Sequence, residues 1–207
     1  MLNELLIRYP LLTEIKEDIT KAANEIINCY ENHGKLLLCG NGGSCADCEH
    51  IVSELMKGFL NKRPISDSQR NEIKSNAPYL EDEIISKLQC GLPAISLPSM
   101  MALNSAFSND VDPKLVYAQP LMALGQKNDI LIAISTSVNS DNVYTAVKVA
   151  KALGLKVIAL TGASGGRLKE LADICICAPE TETFKIQELH LPIYHYLCAE
   201  TERHFFG

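Results

Sequence analysis

Apolar residues recur along this chain with two periods, and the periods alternate. Over 11–33, LLTEIKEDITKAANEIINCYENH, they fall at Leu12, Ile15, Ile19, Ala22, Ala23, Ile26, Ile27 and Tyr30. That spacing gives one face of an α-helix, and Gly34 follows as a stop. KLLLC (35–39) is instead an unbroken apolar run, the pattern of a strand buried on both faces. The alternation continues with a helix over 44–57, strand LPAISL (92–97), a helix over 100–109, strand DILIAIS (129–135) and a helix over 140–154 ended by Gly154. Strand LKVIALTG (155–162), a short helix over 166–172, strand DICICAP (173–179) and a last helix over 183–204 complete it. Five apolar strands separated by helices predict an α/β fold. It is a doubly wound, five-stranded parallel sheet of flavodoxin-like Rossmann type, with an N-terminal helix and helices on both faces.

One segment breaks the rhythm. Residues 61–79, NKRPISDSQRNEIKSNAPY, are polar and hold Pro64 and Pro78; an amphipathic piece, LEDEIISKLQC, follows at 80–90 and stops at Gly91. We read 61–91 as a helical insertion within a single domain spanning 1–207, a length sufficient for one sizeable core.

Charge narrows the function classes. A net charge of −6 argues against a sequence-independent nucleic-acid binder, which needs a basic footprint. No apolar run reaches the ~18 residues of a membrane span, and MLNELLIRYPLLTEIKED has no signal-peptide layout. The expectation is a cytoplasmic protein with neither nucleic acid nor membrane as partner. Eight cysteines then read as buried small hydrophobes or metal ligands. Cys175 and Cys177 would share one face of a strand, as packing. Cys45 and Cys48 form a CxxC at a helix N-terminus, a position that lowers a thiol pKa; a redox pair there is the rival to plain packing.

Ligands of open α/β sheets bind at the carboxyl ends of the strands. Three such ends here are rich in small polar groups: GNGGS (40–44), STSVNS (135–140) and TGASGG (161–166). Ser135, Thr136, Ser137 and Ser140 put four hydroxyls where a helix begins, which suits a phosphate monoester. The alternative is that Ser140 caps the helix and the others are turn residues. GNGGS lacks the Lys-Ser/Thr of a Walker loop and the spacing of a dinucleotide fingerprint, so nucleotide binding is disfavoured.

Polar groups on two helices are candidates for the chemistry. His50 and Glu54 are at i and i+4 and can present an imidazole and a carboxylate to one metal; an exposed ion pair is the alternative. The last helix carries Gln187, Glu188, His190 and His195. Gln187 and His195 stand roughly 80° apart and ~12 Å along the axis, so one ion would take both only through extended side chains, a bend at Pro192, or ligands from two subunits.

Together, GNGGSxxDxxHxxxEL, ISTSxNS, LTGxxGGRLxELAD and IQExHxxxxHxLC resemble the phosphoheptose isomerases of the sugar-isomerase (SIS) domain superfamily, over 35–60 and 92–200. The resemblance implies one zinc ion per subunit on His50, Glu54, Gln187 and His195. It implies a sugar phosphate held by Asn41, Gly42, Gly43, Ser44, Ser135, Thr136, Ser137 and Ser140, with Asp110 and Gln187 near the substrate. It also implies a homotetramer with sites at subunit interfaces. The reaction implied is the isomerisation of D-sedoheptulose 7-phosphate to an aldose through an enediol, with Glu54 and His195 as acid and base and zinc as Lewis acid. A relative of the same fold without catalysis, the DnaA-initiator-associating protein, lacks the carboxylate at the Glu54 position and the imidazole at the His195 position; this chain has both. The competing readings are a non-catalytic module binding a phosphosugar or a protein, and an isomerase of another phosphosugar. Departures from the family pattern are the 61–91 insertion, Lys57-Gly58 in place of Gly-Arg, Val138 in place of glycine, and Phe184 and Pro192 in the last helix.

Overall fold

The apolar pattern over 11–33 divides into two helical pieces. In the computed structural model, which describes residues 1–137 and 140–207, helix α1 (Leu2–Arg8) precedes a 3-10 segment (Pro10–Ile15) and then α2 (Lys16–Glu31). Pro10 begins the 3-10 piece because its ring fixes φ and it has no N–H to lose. Strand β1 (Leu36–Gly40) leads into α3 (Gly43–Met56). The insertion holds α4 (Asp67–Asn76) and α5 (Asp82–Lys87). Then follow β2 (Ala94–Ser96), α6 (Met101–Asp110), α7 (Ala118–Leu124), β3 (Ile130–Ile134), α8 (Asp141–Ala152), β4 (Lys156–Thr161), α9 (Leu168–Leu171), β5 (Ile174–Cys177) and α10 (Thr183–Phe206).

The five expected strands form one parallel sheet in the order β2-β1-β3-β4-β5. Alternate residues serve opposite faces. Leu36, Leu38, Ile130, Ile132, Ile134, Ile158 and Leu160 pack with α2, α3 and α10. Leu37, Cys39, Leu131, Ala133, Val157 and Ala159 pack with α7, α8 and α9. Both faces are dry, hence the unbroken apolar runs. The chain leaves β1 toward one edge and returns to β3 on the other side, so the loops after β1 and β3 part company and leave a crevice between them.

α7 was absent from the sequence reading, as was α1 as a separate helix. In the insertion, α5 covers six residues where the amphipathic stretch suggested 80–90. α4 starts with a capping box: Ser66 accepts from Gln69 N, and the Gln69 side chain accepts from Ser66 N. An antiparallel bridge, Pro64 to Gln89, closes the insertion at its base. Among the described residues no helix is long and apolar enough to cross a membrane. Val138 and Asn139, of the STSVNS stretch, lie outside the described residues.

A buried ion pair fastens the base of the insertion to the last helix. Arg63 is 1% exposed and Glu202 has no exposed surface. Arg63 Nε donates to Glu202 Oε1 at 2.8 Å, its Nη1 to the Leu55 carbonyl at 2.6 Å and its Nη2 to the Glu54 carbonyl at 3.2 Å. The Glu202 carboxylate also accepts from the amides of Phe59, Leu60 and Asn61 at 2.7 to 3.0 Å. Burial opposes the charge on Glu202, but these donors outweigh it and hold the carboxyl below its usual range. The guanidinium lies 4.7 Å from the Phe206 ring centroid.

Arg63→Met is expected to lower the unfolding free energy by about 3–5 kcal/mol, because it strands a buried carboxylate. Urea unfolding measures it, and breaking the exposed pair Lys21–Asp18 should change stability by less than about 0.5 kcal/mol. His190 predicts a second effect. Burial drives its pKa down to about 4, although the hydrogen bond to the Thr161 carbonyl favours the charged form. Since the unfolded imidazole titrates near 6.5, the unfolded chain binds more protons between these values, and stability falls as pH drops from 6.5 to 4. The loss is about 3 kcal/mol at the lower limit. His190→Gln should flatten that part of a stability-against-pH curve; an unchanged slope would assign the acid sensitivity elsewhere.

Candidate active site

The first loop turns at Gly42, whose φ of +56° is a backbone conformation that favours glycine. A Cβ on Gly43 would sit 2.3 Å from Gln187 Nε2, so glycine is what lets the last helix approach the start of α3. Ser44 is buried and its N–H donates to the Asn41 carbonyl at 3.0 Å. Across the crevice, Ser135 Oγ donates to the Ser137 carbonyl at 2.8 Å and lies 3.2 Å from Ser140 Oγ. Ser137 Oγ is 3.4 Å from Ser140 Oγ. Ser140 precedes α8 but makes no side-chain capping bond among the described residues. Its hydroxyl is turned toward the other serines. Thr136 is half-buried in the same turn.

α3 and α10 run side by side in one direction. Gly43 meets Gln187 at their starts, and two turns further on His50 meets Tyr194 and His195. His50 Nε2 lies 3.3 Å from Glu54 Oε1, and the His50 and His195 ring centroids are 5.0 Å apart. Lys57 Nζ reaches Glu54 Oε2 at 3.0 Å. Phe59 covers His195, with 5.5 Å between ring centroids. Burial holds His195 below the usual imidazole range, as does His50; Glu54 acts the other way. A cleft of about 420 Å³ opens beside His195, between α1, α10 and the Phe59–Leu60 turn. Its lining includes His195 and no residue of either loop.

The chain resembles known proteins over most of its length. A SIS domain family model matches residues 7–80 and 84–162. A phosphoheptose isomerase of Helicobacter pylori (strain P12) is 37% identical over 194 residues, 94% of this chain and 88% of its own. The structure of a phosphoheptose isomerase from Francisella tularensis matches with a TM-score of 0.74 at 35% identity, covering 90% of this chain and 86% of its own. That of phosphoheptose isomerase GmhA from Neisseria gonorrhoeae matches at 0.70 and 32%, covering 88% and 84%. The chain belongs to the phosphoheptose isomerase family.

Within this chain His50, Glu54 and His195 gather, while Gln187 lies beside Gly43. The two helices are parallel, so Gln187 stays level with Gly43, eight residues and about 12 Å of helix before His195. α10 continues as a helix through Pro192 and brings them no nearer in register. Asp110 also stands apart, exposed at the end of α6 and accepting from Asn109 Nδ2. The three gathered side chains suit a divalent ion in kind: two imidazoles and a carboxylate are zinc-type donors. Moreover, His195 Nε2 is buried with no hydrogen-bond partner among the described residues. As they stand, no three His, Cys, Asp or Glu side chains among the described residues are placed to hold an ion, so the donors would have to close by rotation.

Other sequence candidates resolve into packing. Burial raises the pKa of Cys45 and Cys48, the opposite of the lowering expected at a helix N-terminus. Cys175 and Cys177 do lie side by side, Sγ to Sγ 3.6 Å, with the Cys175 thiol pushed up to about 12 by burial. The displaced basic group of Lys57-Gly58 ends on Glu54.

Two residues in contact with the cluster escaped the sequence reading. The Tyr194 hydroxyl lies 3.0 Å from His50 Nδ1 and donates to Asp47 Oδ1 at 3.3 Å. It thereby fixes the ring that faces Glu54. Asp47 stood within the GNGGSxxDxxH motif, but only the fold brings it to Tyr194. Tyr194→Phe keeps the aromatic contact and removes the hydroxyl. We expect a 10- to 100-fold loss of kcat with an unchanged melting temperature, the scale of lost ligand orientation. Steady-state kinetics beside a thermal melt will show it, and wild-type kcat in Tyr194→Phe would leave His50 oriented by packing alone.

Proposed function

We propose that this chain is an aldose–ketose isomerase converting D-sedoheptulose 7-phosphate to D-glycero-D-manno-heptose 7-phosphate through an enediol, in the cytoplasm, for heptose biosynthesis. The observation that carries the reading is that the His50–Glu54–His195 cluster lies on the same helix pair as the phosphate cradle. Seven residues of α3 separate Gly43 from His50, about 10 Å. An extended seven-carbon chain with its phosphate ester, eight bonds from C1 to phosphorus at about 1.2 Å each, covers a similar distance. A phosphate in the cradle therefore sets C1 and C2 among the cluster side chains.

Isomerisation moves one proton between carbons. Glu54 takes a proton from C1 of the ketose and returns it to C2, while His195 passes a proton between the two oxygens. Lys57 is exposed and can yield Glu54 Oε2 to the substrate. Phosphate binding remote from the reacting carbons supplies orientation. One zinc ion per subunit would be held by His50, Glu54 and His195, with Gln187 following if the cluster closes or if it comes from a second subunit. When bound, it would polarise the C1 and C2 oxygens. Glu54 and His195 then serve as both ligands and proton carriers.

A homotetramer fits the reading. α6 has no buried residue, and Met101 (78% exposed) and Val111 (60%) stand uncovered at its two ends. Association with another subunit would cover these side chains. It would also bring Asp110 to a neighbouring subunit.

Incubation with sedoheptulose 7-phosphate, followed by NMR, should show an aldose product. Glu54→Gln is expected to lower kcat about a thousand-fold while the protein stays folded. Binding without turnover in the wild type would point to a phosphosugar-binding module instead, and turnover of C5 or C6 ketose phosphates in preference would change the substrate.

A further inference from the structure

Asn142 was not among the expected site residues, yet it joins the two halves of the phosphate cradle. Asn41 Nδ2 donates to Asn142 Oδ1 at 2.8 Å, and Asn142 Nδ2 donates back to Asn41 Oδ1 at 2.9 Å. The two residues are 101 apart in sequence and lie on opposite sides of the crevice between β1 and β3. The Val143 N–H, which can only donate, meets Asn142 Oδ1 at 2.9 Å. That contact settles which end of Asn142 is oxygen, and through the pair it settles Asn41 as well. The Tyr117 hydroxyl, on a buried ring, lies 2.8 Å from the Gly40 carbonyl and 2.9 Å from Asn41 Oδ1. Asn41 is thus held by α8 and by the approach to α7.

We propose that Asn142 is a positioning residue for the sugar phosphate: its reciprocal amide pair with Asn41 sets the spacing between the first loop and the serine loop. Asn41 then acts largely through Asn142, and not simply as a phosphate ligand. Loops leaving in opposite directions at a switch point have no backbone ladder between them, so their spacing needs a side-chain tie. Two amides provide it without adding charge beside an anion.

The inference rests on the phosphosugar reading, and its test separates the two. Calorimetry with sedoheptulose 7-phosphate gives Kd independently of turnover. Asn142→Ala and Asn142→Ser should each raise Kd and KM about tenfold, with a smaller fall in kcat as orientation of the reacting carbons loosens. Adding Asn41→Ala to Asn142→Ala should weaken binding little further, since the two form one unit. Tyr117→Phe, which keeps the amide pair, should cost less than either. Wild-type Kd in both Asn142 variants, or additive losses in the double variant, would overturn the proposal. Equal falls in kcat and stability with unchanged KM would also overturn it, leaving a merely structural residue. If the wild type binds the sugar but makes no aldose, the isomerase reading fails while the Kd comparison still decides the role of Asn142.

Discussion

A guanidinium and a carboxylate sealed from water, Arg63 and Glu202, govern the geometry of the reacting end. Neither charge can be left alone there: removing an ion from water costs several kcal/mol, and only a full set of partners offsets it. The partners are the point. Glu202 gathers three successive amides of the turn that carries Phe59, and Arg63 takes the last carbonyls of α3 beneath Glu54. The end of α3, the turn that covers His195 and the last helix are locked into one arrangement. The insertion starts from this knot, and its residue Arg63 is part of it.

At the other end of α3 the constraint is topological. Parallel strands demand crossovers, and the reversal of strand order between β1 and β3 opens the crevice where the polar loops sit. The parallel run of α3 and α10 then puts one level of contacts at the loops and another two turns below. This is why Gln187 and His195, on one helix, serve different levels.

How much of this was readable beforehand depends on whether the signal was local. The strands were plain because both faces are buried and their apolar runs are unbroken. Helices over 44–57, 140–154 and 183–204 were plain because one stripe packs inward. Ala118–Leu124 was not: AQPLMAL has a proline and no clear polar face, and its burial comes from α8. The capping box of Ser66 and Gln69 was local and could have been read. Arg63 could not, since nothing in NKRPIS marks one cation for complete burial against a residue 139 positions away. The same holds for Tyr194 with Asp47 and for Asn41 with Asn142. The sequence spacing of Gln187 and His195 already implied about 12 Å along the helix, and α10 runs unbroken through Pro192.

The direction of α3 has a consequence for which way round a substrate lies. Its peptide dipoles sum to a partial positive charge at Gly43 and a partial negative one near Met56, on the order of half an elementary charge each. α8 aims its own positive end at the same crevice. A dianionic headgroup is drawn to the Gly43 pole, whereas at the opposite pole it would meet the carboxylate of Glu54. The scaffold is therefore a polarised rail, on which a long flexible sugar with one charged terminus would lie more favourably in one sense than in the other.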